Sequence, residues 1–410
     1  MVHDISYLRL KLARAANVCY YAVILSQVLI WTYVCVDFSG TNPNFEQTVD
    51  LEIRGGGQWP QTEPTADQLA RPLMVDARAQ SQTTATNEHK KASSQRQAED
   101  WNKYFSPLLG HTILPRNPWI VLNGSYIENP SRICTQHLDL DLVVVVHTAP
   151  YNFIKRRMLR ESFSPPRLPR PYTAQVVFML GTFNSTTVDP AKELNLTAEI
   201  RKYNDIVRMD FQEHFRNLTY KAMLWLRWLD EHCPNALMVL KLDDDVVMDV
   251  KKVLPLSRGL FSKYKRSIFC STNPKGTQPI PRIGRTCVDP REFTGVKIYP
   301  YTYCSGFIVF LSRDLISPMA KAVRRTPMYN VDDVFMFGMV AKMAGNVTYH
   351  NIGYNITLWH DKVYNCTVSD GLGCRYYGTM AKKDNHAIRM YDAFDRIHRY
   401  DFKIPTLKVV

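Results

Sequence analysis

Three consecutive carboxylates follow an apolar stretch near the middle of the chain. Residues 237–242 are almost entirely apolar, Asp243, Asp244 and Asp245 come next, and two valines follow. The apolar run has the length of a buried strand, so the carboxylates are predicted to lie where that strand ends. Like charges beside apolar residues are costly to bury unless a cation neutralises them, and carboxylates prefer hard cations such as Mg²⁺ or Mn²⁺. Metal-assisted chemistry is one interpretation of the triplet, and an Asp cluster that caps a following helix is the other.

Alternating apolar strands and amphipathic helices surround the triplet. This order favours an α/β domain with a mostly parallel central sheet, in which ligands bind at the carboxyl ends of the strands. The triplet would then lie at the ligand-binding edge. Strands are predicted at residues 142–146, 175–180 and 237–242, and helices at residues 153–163, 192–203 and 218–231.

The N-terminal region has the features of a membrane anchor. Residues 18–36 are nearly all apolar and uncharged, with Arg9, Lys11 and Arg14 before them and Asp37 after them. The length is just sufficient to span a bilayer, and the positive charges predict a cytosolic N-terminus. We therefore expect a cytosolic tail at 1–17, a type II signal anchor at 18–36, a stem at 37–130 that is largely disordered in its first part, and a folded domain at 131–410. A cleaved signal peptide is the alternative.

Sequons and cysteines favour a lumenal location for the folded domain. Of the nine cysteines, Cys19 and Cys35 lie in the apolar segment, which leaves seven beyond it. An oxidising lumen would pair most of these, with one left over. Seven sequons occur, at Asn123, Asn184, Asn195, Asn217, Asn346, Asn355 and Asn365.

The chain is basic, with a formal net charge of +13 from 51 Lys and Arg against 38 Asp and Glu. Such an excess can indicate nucleic-acid binding, but a membrane-anchored chain rich in sequons meets little nucleic acid. We expect no nucleic-acid partner. A basic face for an anionic nucleotide or an acidic glycan fits better, and solubility accounts for most of the charge.

Five segments in order resemble the β-1,3-glycosyltransferases, the family that includes galactosyl-, N-acetylglucosaminyl- and fringe-type enzymes. Residues 153–163 resemble the family motif F-x-x-R-x-x-I-R-x-T-W, and residues 210–221 resemble D-F-x-D-x-Y-x-N-L-T-x-K. Residues 228–246 resemble W-x(4)-C-P-x-A followed by K-x-D-D-D-V. Residues 299–306 resemble Y-P-x-Y-C-S-G with one extra residue, and Asp332–Val334 resembles E/D-D-V. In this pattern Asn217 starts a helix and is a structural residue, while the other six sequons stay open.

The resemblance implies a GT-A-like, Rossmann-type domain that binds a nucleotide sugar. The implied reaction is an inverting, Mn²⁺-dependent transfer of a hexose from a UDP-sugar to a glycan in β-1,3 linkage, with galactose favoured over N-acetylglucosamine. The acceptor would be a glycan on a glycoprotein or glycolipid, and the location a Golgi membrane. The oligomeric state is left open, including a homodimer.

The resemblance also implies roles at the triplet and after the first strand. Asp243 would contact the ribose and the water shell of the metal, and Asp245 would ligate the metal directly. Asp244 would point the other way along an extended strand and contact the donor sugar. Arg156 and Arg160 would contact the nucleotide, although a structural ion pair is an alternative for Arg160.

Inversion requires a base that removes the proton from the acceptor hydroxyl. Asp333 matches the second acid of the E/D-D-V motif and is the predicted base, with Asp332 as the alternate. Tyr303, Ser305 and Gly306 would shape the donor pocket, where glycine permits close backbone approach. A turn beside a disulfide at Cys304 is the structural alternative for that segment.

The chain departs from the family pattern near its C-terminus. Where the family has a metal-binding histidine, nine residues after the position of Cys374, this chain has Lys383, and His386 follows three residues later. A protonated Lys383 cannot ligate the metal but can neutralise phosphate, and either His386 is the third metal ligand after a small local shift or the metal is held more weakly here. A non-catalytic lumenal chaperone or glycan-binding relative is a second function, and a metal-dependent phosphoesterase or nuclease a third.

Overall fold

The computed structural model describes residues 111–114, 116–136, 140–183, 189–259 and 263–398. The chain divides into two compact units, residues 1–93 with 281–287, and residues 94–280 with 288–410. In the first unit only residues 281–287 are described, and they contain no helix or strand. The helices and strands below belong to the second unit.

Eleven strands are present among the described residues, and they form two sheets. The larger sheet has the order β1-β4-β3-β2-β5-β8-β7-β9, and the smaller has the order β10-β11-β6. The strands are β1 Tyr126–Glu128, β2 Leu140–His147, β3 Ala174–Thr182, β4 Ile206–Gln212, β5 Ala236–Asp243, β6 Val246–Met248, β7 Ser267–Asn273, β8 Tyr303–Ser312, β9 Thr348–Asn351, β10 Ile356–Thr357 and β11 Gly378–Met380.

The larger sheet is parallel at its centre and mixed at its sides. Strands β4, β3, β2 and β5 are parallel neighbours, whereas β8 is antiparallel to both β5 and β7. The expected α/β fold is confirmed, and the expected parallel arrangement is found in strands β4, β3, β2 and β5. Their carboxyl ends meet at one edge, where ligands bind in sheets of this kind.

Helices cover both faces of the larger sheet. The helices are α1 Trp119–Leu122, α2 Phe153–Ser162, α3 Pro190–Tyr203, α4 Leu218–His232, α5 Val250–Gly259, α6 Ile316–Val323, α7, α8 His360–Asp370 and α9 Asp384–Ile397. Helix α7 comprises an initial turn Asp332–Val334, a π-helical segment Phe335–Val340 and a final turn Ala341–Ala344.

The alternation of side chains along β2 explains the two helix layers. Every residue of β2 is buried, as expected for a strand covered on both faces. Val143 and Val145 pack in a core with α4, α6 and α7, whereas Val144 and Val146 pack in a core with α2, α3 and α5. The two cores place helix α7 and helix α2 on opposite faces of the same strand ends.

The folded domain includes residues that the sequence assigned to the stem. Ile113, Val121 and Leu122 are buried in the core, and β1 pairs with β4. The expected boundary at 130 is therefore too late, because a short apolar segment before it completes one face of the sheet. Residues 18–36 and 37–110 lie outside the described residues. No helix in the described part of the chain is long and apolar enough to cross a membrane.

Three disulfides join six of the seven cysteines beyond the apolar segment, as Cys134–Cys233, Cys270–Cys304 and Cys366–Cys374. The expectation that most of them pair is confirmed, including a disulfide at Cys304. Cys287 is not among the six.

Two sequons have structural roles. Asn217 donates its side-chain N–H to the carbonyl of Gln212 at 2.9 Å just before α4, which agrees with its predicted role at a helix start. Asn355 is buried and donates to the carbonyl of Arg375 at 3.0 Å. A buried, hydrogen-bonded amide is not accessible to a glycan, so Asn355 is removed from the open candidates.

Candidate active site

The Asp triplet lies at the carboxyl edge of the central sheet. Strand β5 ends at Asp243, which is in register with His147 at the end of β2. The N–H of Asp244 donates to the carbonyl of His147 at 3.1 Å. The apolar residues of β2 and β5 are buried together, and the first polar groups appear where both strands leave the core. This is the predicted position.

Asp243 faces the side of the sheet that carries α7. Its Oδ1 accepts a hydrogen bond from Nζ of Lys241 at 2.6 Å, and the same Nζ donates to the carbonyl of Gly306 at 2.6 Å. The Lys241 side chain is 2% exposed and that of Asp243 is 35% exposed. Burial lowers the pKa of Lys241, but Asp243, Asp333 and Asp332 outweigh it and raise the pKa. Lys241 is therefore a charged lysine beneath a cluster of carboxylates.

Asp244 faces the opposite side, as the alternation of side chains predicts, but its role differs from the prediction. Its Oδ2 accepts hydrogen bonds from Thr148 Oγ1 and Asn152 Nδ2, both at 2.6 Å, and its Oδ1 accepts one from Lys155 Nζ at 3.1 Å. Because Asp244 is bound by Thr148 and Asn152, between β2 and α2, and by Lys155, in the first turn of α2, it anchors that segment. Its predicted contact with the donor sugar is corrected to this structural role.

Asp245 carries charge that the protein does not fully neutralise. Burial and the neighbouring Asp243 raise the pKa of Asp245, and the opposing effect of Lys155 is smaller. The carbonyl of Asp245 accepts a hydrogen bond from the N–H of Ala381 at 2.6 Å, which joins the C-terminal segment to the triplet. A raised carboxyl pKa indicates a site where an added cation would be favourable.

Asp333 lies directly against the backbone of β8. Its Oδ2 accepts a hydrogen bond from the N–H of Gly306 at 2.9 Å. A Cβ at position 306 would lie 1.8 Å from Asp333 Oδ1, so a side chain there would displace the carboxylate. Glycine is required at this position because the carboxylate occupies the space of the missing side chain.

The two acids at the start of α7 share one electrostatic environment. Burial and the adjacent Asp332 raise the pKa of Asp333 to about 8, although Lys241 and the Gly306 N–H oppose the shift. Burial also raises the pKa of Asp332, and Asp243 adds to the effect. A carboxyl that titrates near neutral pH is suited to exchange a proton with a bound substrate.

Sequence reasoning gave no role to Lys241 or His147, although both contribute to the cluster. His147 Nδ1 lies 4.0 Å from Asp332 Oδ2. Burial, together with Lys241 and Lys221, holds the pKa of His147 well below its usual range. The sequence did contain a signal for both residues. Each is a polar side chain inside or at the end of an apolar strand, and such a side chain is costly to bury without a partner.

Arg156 does not contact the ligand edge. Its side chain is 0% exposed, and it donates to Glu199 at 2.7–3.2 Å and to the carbonyls of Ala149 and Pro150 at 2.6 and 2.9 Å. Since the guanidinium is enclosed and hydrogen-bonded within the protein, the predicted nucleotide contact is wrong. Arg156 instead fixes the segment after β2.

Arg160 belongs to the same structural network. It donates to Asp205 at 2.6 and 2.8 Å and to Glu199 at 2.6 Å. Its guanidinium also lies 4.1 Å from the centre of the Tyr203 ring. The structural ion pair, stated as the alternative for this residue, describes the observed contacts, and the predicted nucleotide contact is corrected.

Strand β8 contains Tyr303, Ser305 and Gly306 and brings them together with Asp333. Burial, with smaller effects of Tyr299 and Asp333, raises the pKa of Tyr303 to about 12, so the phenol stays protonated. Ser305 Oγ accepts a hydrogen bond from Asn273 Nδ2 at 3.2 Å. These residues form one wall beside the proposed base.

The C-terminal residues do not complete a three-residue metal site. Lys383 is exposed immediately before α9, and the ring of His386 stacks on His360 at 4.0 Å. In the described ranges, no three His, Cys, Asp or Glu side chains are arranged to hold a metal ion. The structure does not bring Asp243, Asp245 and His386 together as a set, and metal ligation by these residues stays a prediction.

A cavity of about 770 Å³ lies away from the carboxylates. Its lining includes Leu140 and Ala236, the first residues of β2 and β5, and Ser312, the last residue of β8. These residues lie at the end of the sheet opposite the Asp triplet. Its lining contains none of Asp243, Asp245, Asp332 and Asp333, so we place the candidate active site at the triplet.

Comparisons with known proteins find similarity to glycosyltransferases. The model of a family described as galactosyltransferase matches residues 154–352. A mouse acetylgalactosaminyl-O-glycosyl-glycoprotein β-1,3-N-acetylglucosaminyltransferase is 31% identical over 209 residues, which cover 50% of this chain and 52% of that protein. Human β-1,3-galactosyltransferase 4 is 31% identical over 235 residues, which cover 50% of this chain and 61% of that protein. The chain thus spans little more than half the length of these relatives.

A solved structure, of the galactosyltransferase LgtC with donor and acceptor sugar analogues, aligns with 63% of this chain and 97% of its own. The sequence identity is 13% and the TM-score is 0.32. A score this low supports no inference about the fold or the site.

Proposed function

We propose that this chain transfers a hexose from a UDP-sugar to a glycan hydroxyl with inversion, since residues 154–352 match the model of a family described as galactosyltransferase. The proposal rests on the environment of Asp333. The pKa of this carboxyl is raised to about 8, and it lies against Gly306. Lys241 and Asp243 are close enough for their charges to shift its pKa. This arrangement offers a proton acceptor beside a second group of carboxylates. The domain is proposed to be GT-A-like.

Asp333 is proposed as the base in a single displacement. Its ionised carboxylate accepts the proton of the acceptor hydroxyl, and the hydroxyl oxygen forms a bond to the anomeric carbon. The bond from that carbon to the diphosphate oxygen breaks, and its electron pair leaves with UDP. Attack from the face opposite the diphosphate inverts the configuration. Lys241 holds Gly306 and Asp243 in place during the step.

The carboxylates also fit a divalent cation. Asp243 is partly exposed, and the pKa of Asp245 is raised by burial and by Asp243, so negative charge remains to be neutralised. Mg²⁺-like ions are held by one or two carboxylates together with substrate phosphates rather than by a cage of protein ligands. We propose that Asp243 and Asp245 hold Mn²⁺, which when bound would stabilise negative charge on the departing diphosphate. Exposed Lys383 is proposed to approach the phosphates.

The donor sugar and the acceptor are also proposed. Galactose is the first sugar to test and N-acetylglucosamine the second, since transferases of both kinds are among the relatives. A glycan on a glycoprotein or glycolipid is the proposed acceptor. The three disulfides support a lumenal domain, and a type II Golgi membrane protein is the proposed topology.

The test uses the full chain purified in detergent. UDP release is measured with UDP-galactose, UDP-N-acetylglucosamine, UDP-glucose and UDP-N-acetylgalactosamine, each with β-galactoside and N-acetylgalactosaminide acceptors, in Mn²⁺ and then in EDTA. The expected result is release that depends on one sugar and is lost in EDTA, with a β-1,3 linkage in the product by NMR. UDP binding without release would favour a non-catalytic relative, and phosphate release from nucleotides alone would favour a phosphoesterase.

A further inference from the structure

Two large apolar side chains are exposed where β10 leads into α8. Trp359 is 66% exposed and Leu358 is 52% exposed. The following residues are polar, and the Asp361 side chain is 75% exposed. An indole surrounded by water and polar groups is a small, isolated apolar surface. It is too small for a stable protein interface, which typically buries about 800 Å² on each partner.

Strand β10, which ends two residues before Trp359, lies in the same small sheet as β6, which follows the Asp triplet. Thr357 of β10 pairs with Thr379 of β11, which pairs with Val247 of β6. Beyond this row β10 and β11 run in the same direction, β10 toward Trp359 and β11 toward Ala381, whose N–H donates to the carbonyl of Asp245. Two strand spacings, or about 10 Å, separate Thr357 from Val247 across the small sheet. That separation is comparable to the length of a disaccharide.

The backbone that carries Trp359 is well fixed. His360 stacks on His386 of α9 at 4.0 Å with an interplanar angle of 22°. The Cys366–Cys374 disulfide joins the end of α8 to the segment that leads into β11. A rigid aromatic side chain loses little conformational entropy when a ligand covers it.

We propose that Trp359, with Leu358 beside it, is a subsite for the acceptor glycan. The inference rests on the proposed function. The C–H face of a pyranose ring packs on the indole ring, while its hydroxyl groups stay in water or reach His360 and Asp361. A sugar ring stacked on Trp359 directs the remainder of the acceptor across the small sheet toward Asp245. The ligand class is therefore a neutral hexopyranose at least one sugar away from the reacting hydroxyl.

The test compares Trp359→Ala and Trp359→Phe with a matched control, Tyr354→Ala. Tyr354 is 58% exposed and lies five residues earlier in the chain, before β10. In the full chain, Trp359→Ala should raise the KM for a disaccharide acceptor about tenfold, as expected for loss of a buried aromatic contact. The KM for the UDP-sugar should stay within twofold, Trp359→Phe should recover most of the affinity, and Tyr354→Ala should match the wild type. An unchanged acceptor KM in Trp359→Ala would overturn the proposal.

A binding measurement separates this proposal from the proposed function. Saturation-transfer NMR with lactose and N-acetyllactosamine reports contact with the protein whether or not turnover occurs. Loss of the sugar signals in Trp359→Ala, with signals kept in Tyr354→Ala, would support the subsite even if the chain proved inert toward UDP-sugars. Equal signals in both variants, or no signal from the wild type, would overturn it.

Discussion

Two charged clusters lie on opposite sides of the segment that follows β2, and they differ in how their charges are balanced. In the arginine cluster, Arg156 and Arg160 face Glu199 and Asp205. In the carboxylate cluster, Asp243, Asp332 and Asp333 share the buried Lys241, which among the described residues forms an ion pair with Asp243, and Asp245 lies close enough to Asp243 for that charge to raise its pKa. The segment between the clusters is held from one side by Arg156, through two carbonyls, and from the other by Asp244.

This difference in charge balance indicates which buried charges are available for chemistry. The arginine cluster pairs two cations with two anions. Hydrogen bonds from the arginines outweigh burial and lower the pKa of Glu199, whereas burial raises the pKa of Asp205 despite its hydrogen bonds from Arg160. The carboxylate cluster has an excess of anions, and the pKa values of Asp245, Asp332 and Asp333 are all raised. Balanced charges stabilise the fold, whereas unbalanced charges indicate a site that is completed by a ligand.

Removal of the proposed base should have the largest effect on activity. In Asp333→Asn the amide oxygen can still accept from the Gly306 N–H, but the side chain cannot accept a proton. We expect kcat to fall by about 10³, within the usual range for a lost general base, and the melting temperature to change little. Product formation in single-turnover assays and differential scanning calorimetry measure the two quantities. Activity within tenfold of the wild type would assign the base elsewhere, with Asp332 the first alternative.

The arginine cluster should respond in the opposite way. Arg156→Gln removes the fully buried one of the two arginine partners of Glu199 and leaves only Arg160, so the free energy of unfolding should fall by about 3 kcal/mol. The control is Arg157→Gln on the same helix, because the Arg157 side chain is 64% exposed and its ion pair with Glu161 spans 3.9 Å. We expect the control to change stability by less than about 1 kcal/mol. Denaturant unfolding measures both variants, and equal stability in the two would contradict a structural role for Arg156.

A methyl group at position 306 tests whether the position of Asp333 matters. Gly306→Ala should displace the carboxylate, because the added Cβ would lie 1.8 Å from Oδ1. We expect turnover to fall about a hundredfold, as for a misplaced catalytic group. Gly259→Ala is the matched control, since an added Cβ there has no neighbour within 4 Å. Equal turnover in the two variants would show that Asp333 need not contact β8.

The pH dependence should reveal the coupling between the two acids of α7. The base acts in its ionised form, and the pKa of Asp333 is raised to about 8, so kcat/KM should increase with pH up to that region. In Asp332→Asn the neighbouring negative charge is absent, so the pKa of Asp333 should fall and the rise should move to lower pH, by about one pH unit. Rate profiles from pH 5 to 9 test this. A rise that is unmoved, or moved to higher pH, would contradict the coupling.

The sequence could predict the elements near the site because their signals are local. The apolar runs of β2 and β5 and the three aspartates specify a strand end without knowledge of the partners. The role of Arg156 could not be predicted, since Glu199 lies 43 residues away and only the folded chain brings the two together. The same holds for residues 111–130, whose few apolar side chains are buried only when β1 pairs with β4. Long-range partners, rather than residue types, separated structural charges from site charges.

The most direct test measures turnover per folded molecule, side by side, in the wild type, Asp333→Asn and Arg156→Gln. The folded fraction of each sample comes from its near-UV circular dichroism, and turnover from UDP release with the preferred donor and acceptor. We expect turnover to fall by about 10³ in Asp333→Asn and to stay within about threefold of the wild type in Arg156→Gln, once corrected for unfolded protein. Loss of turnover in folded Arg156→Gln, with activity retained in Asp333→Asn, would contradict the assignment of Asp333 as the base.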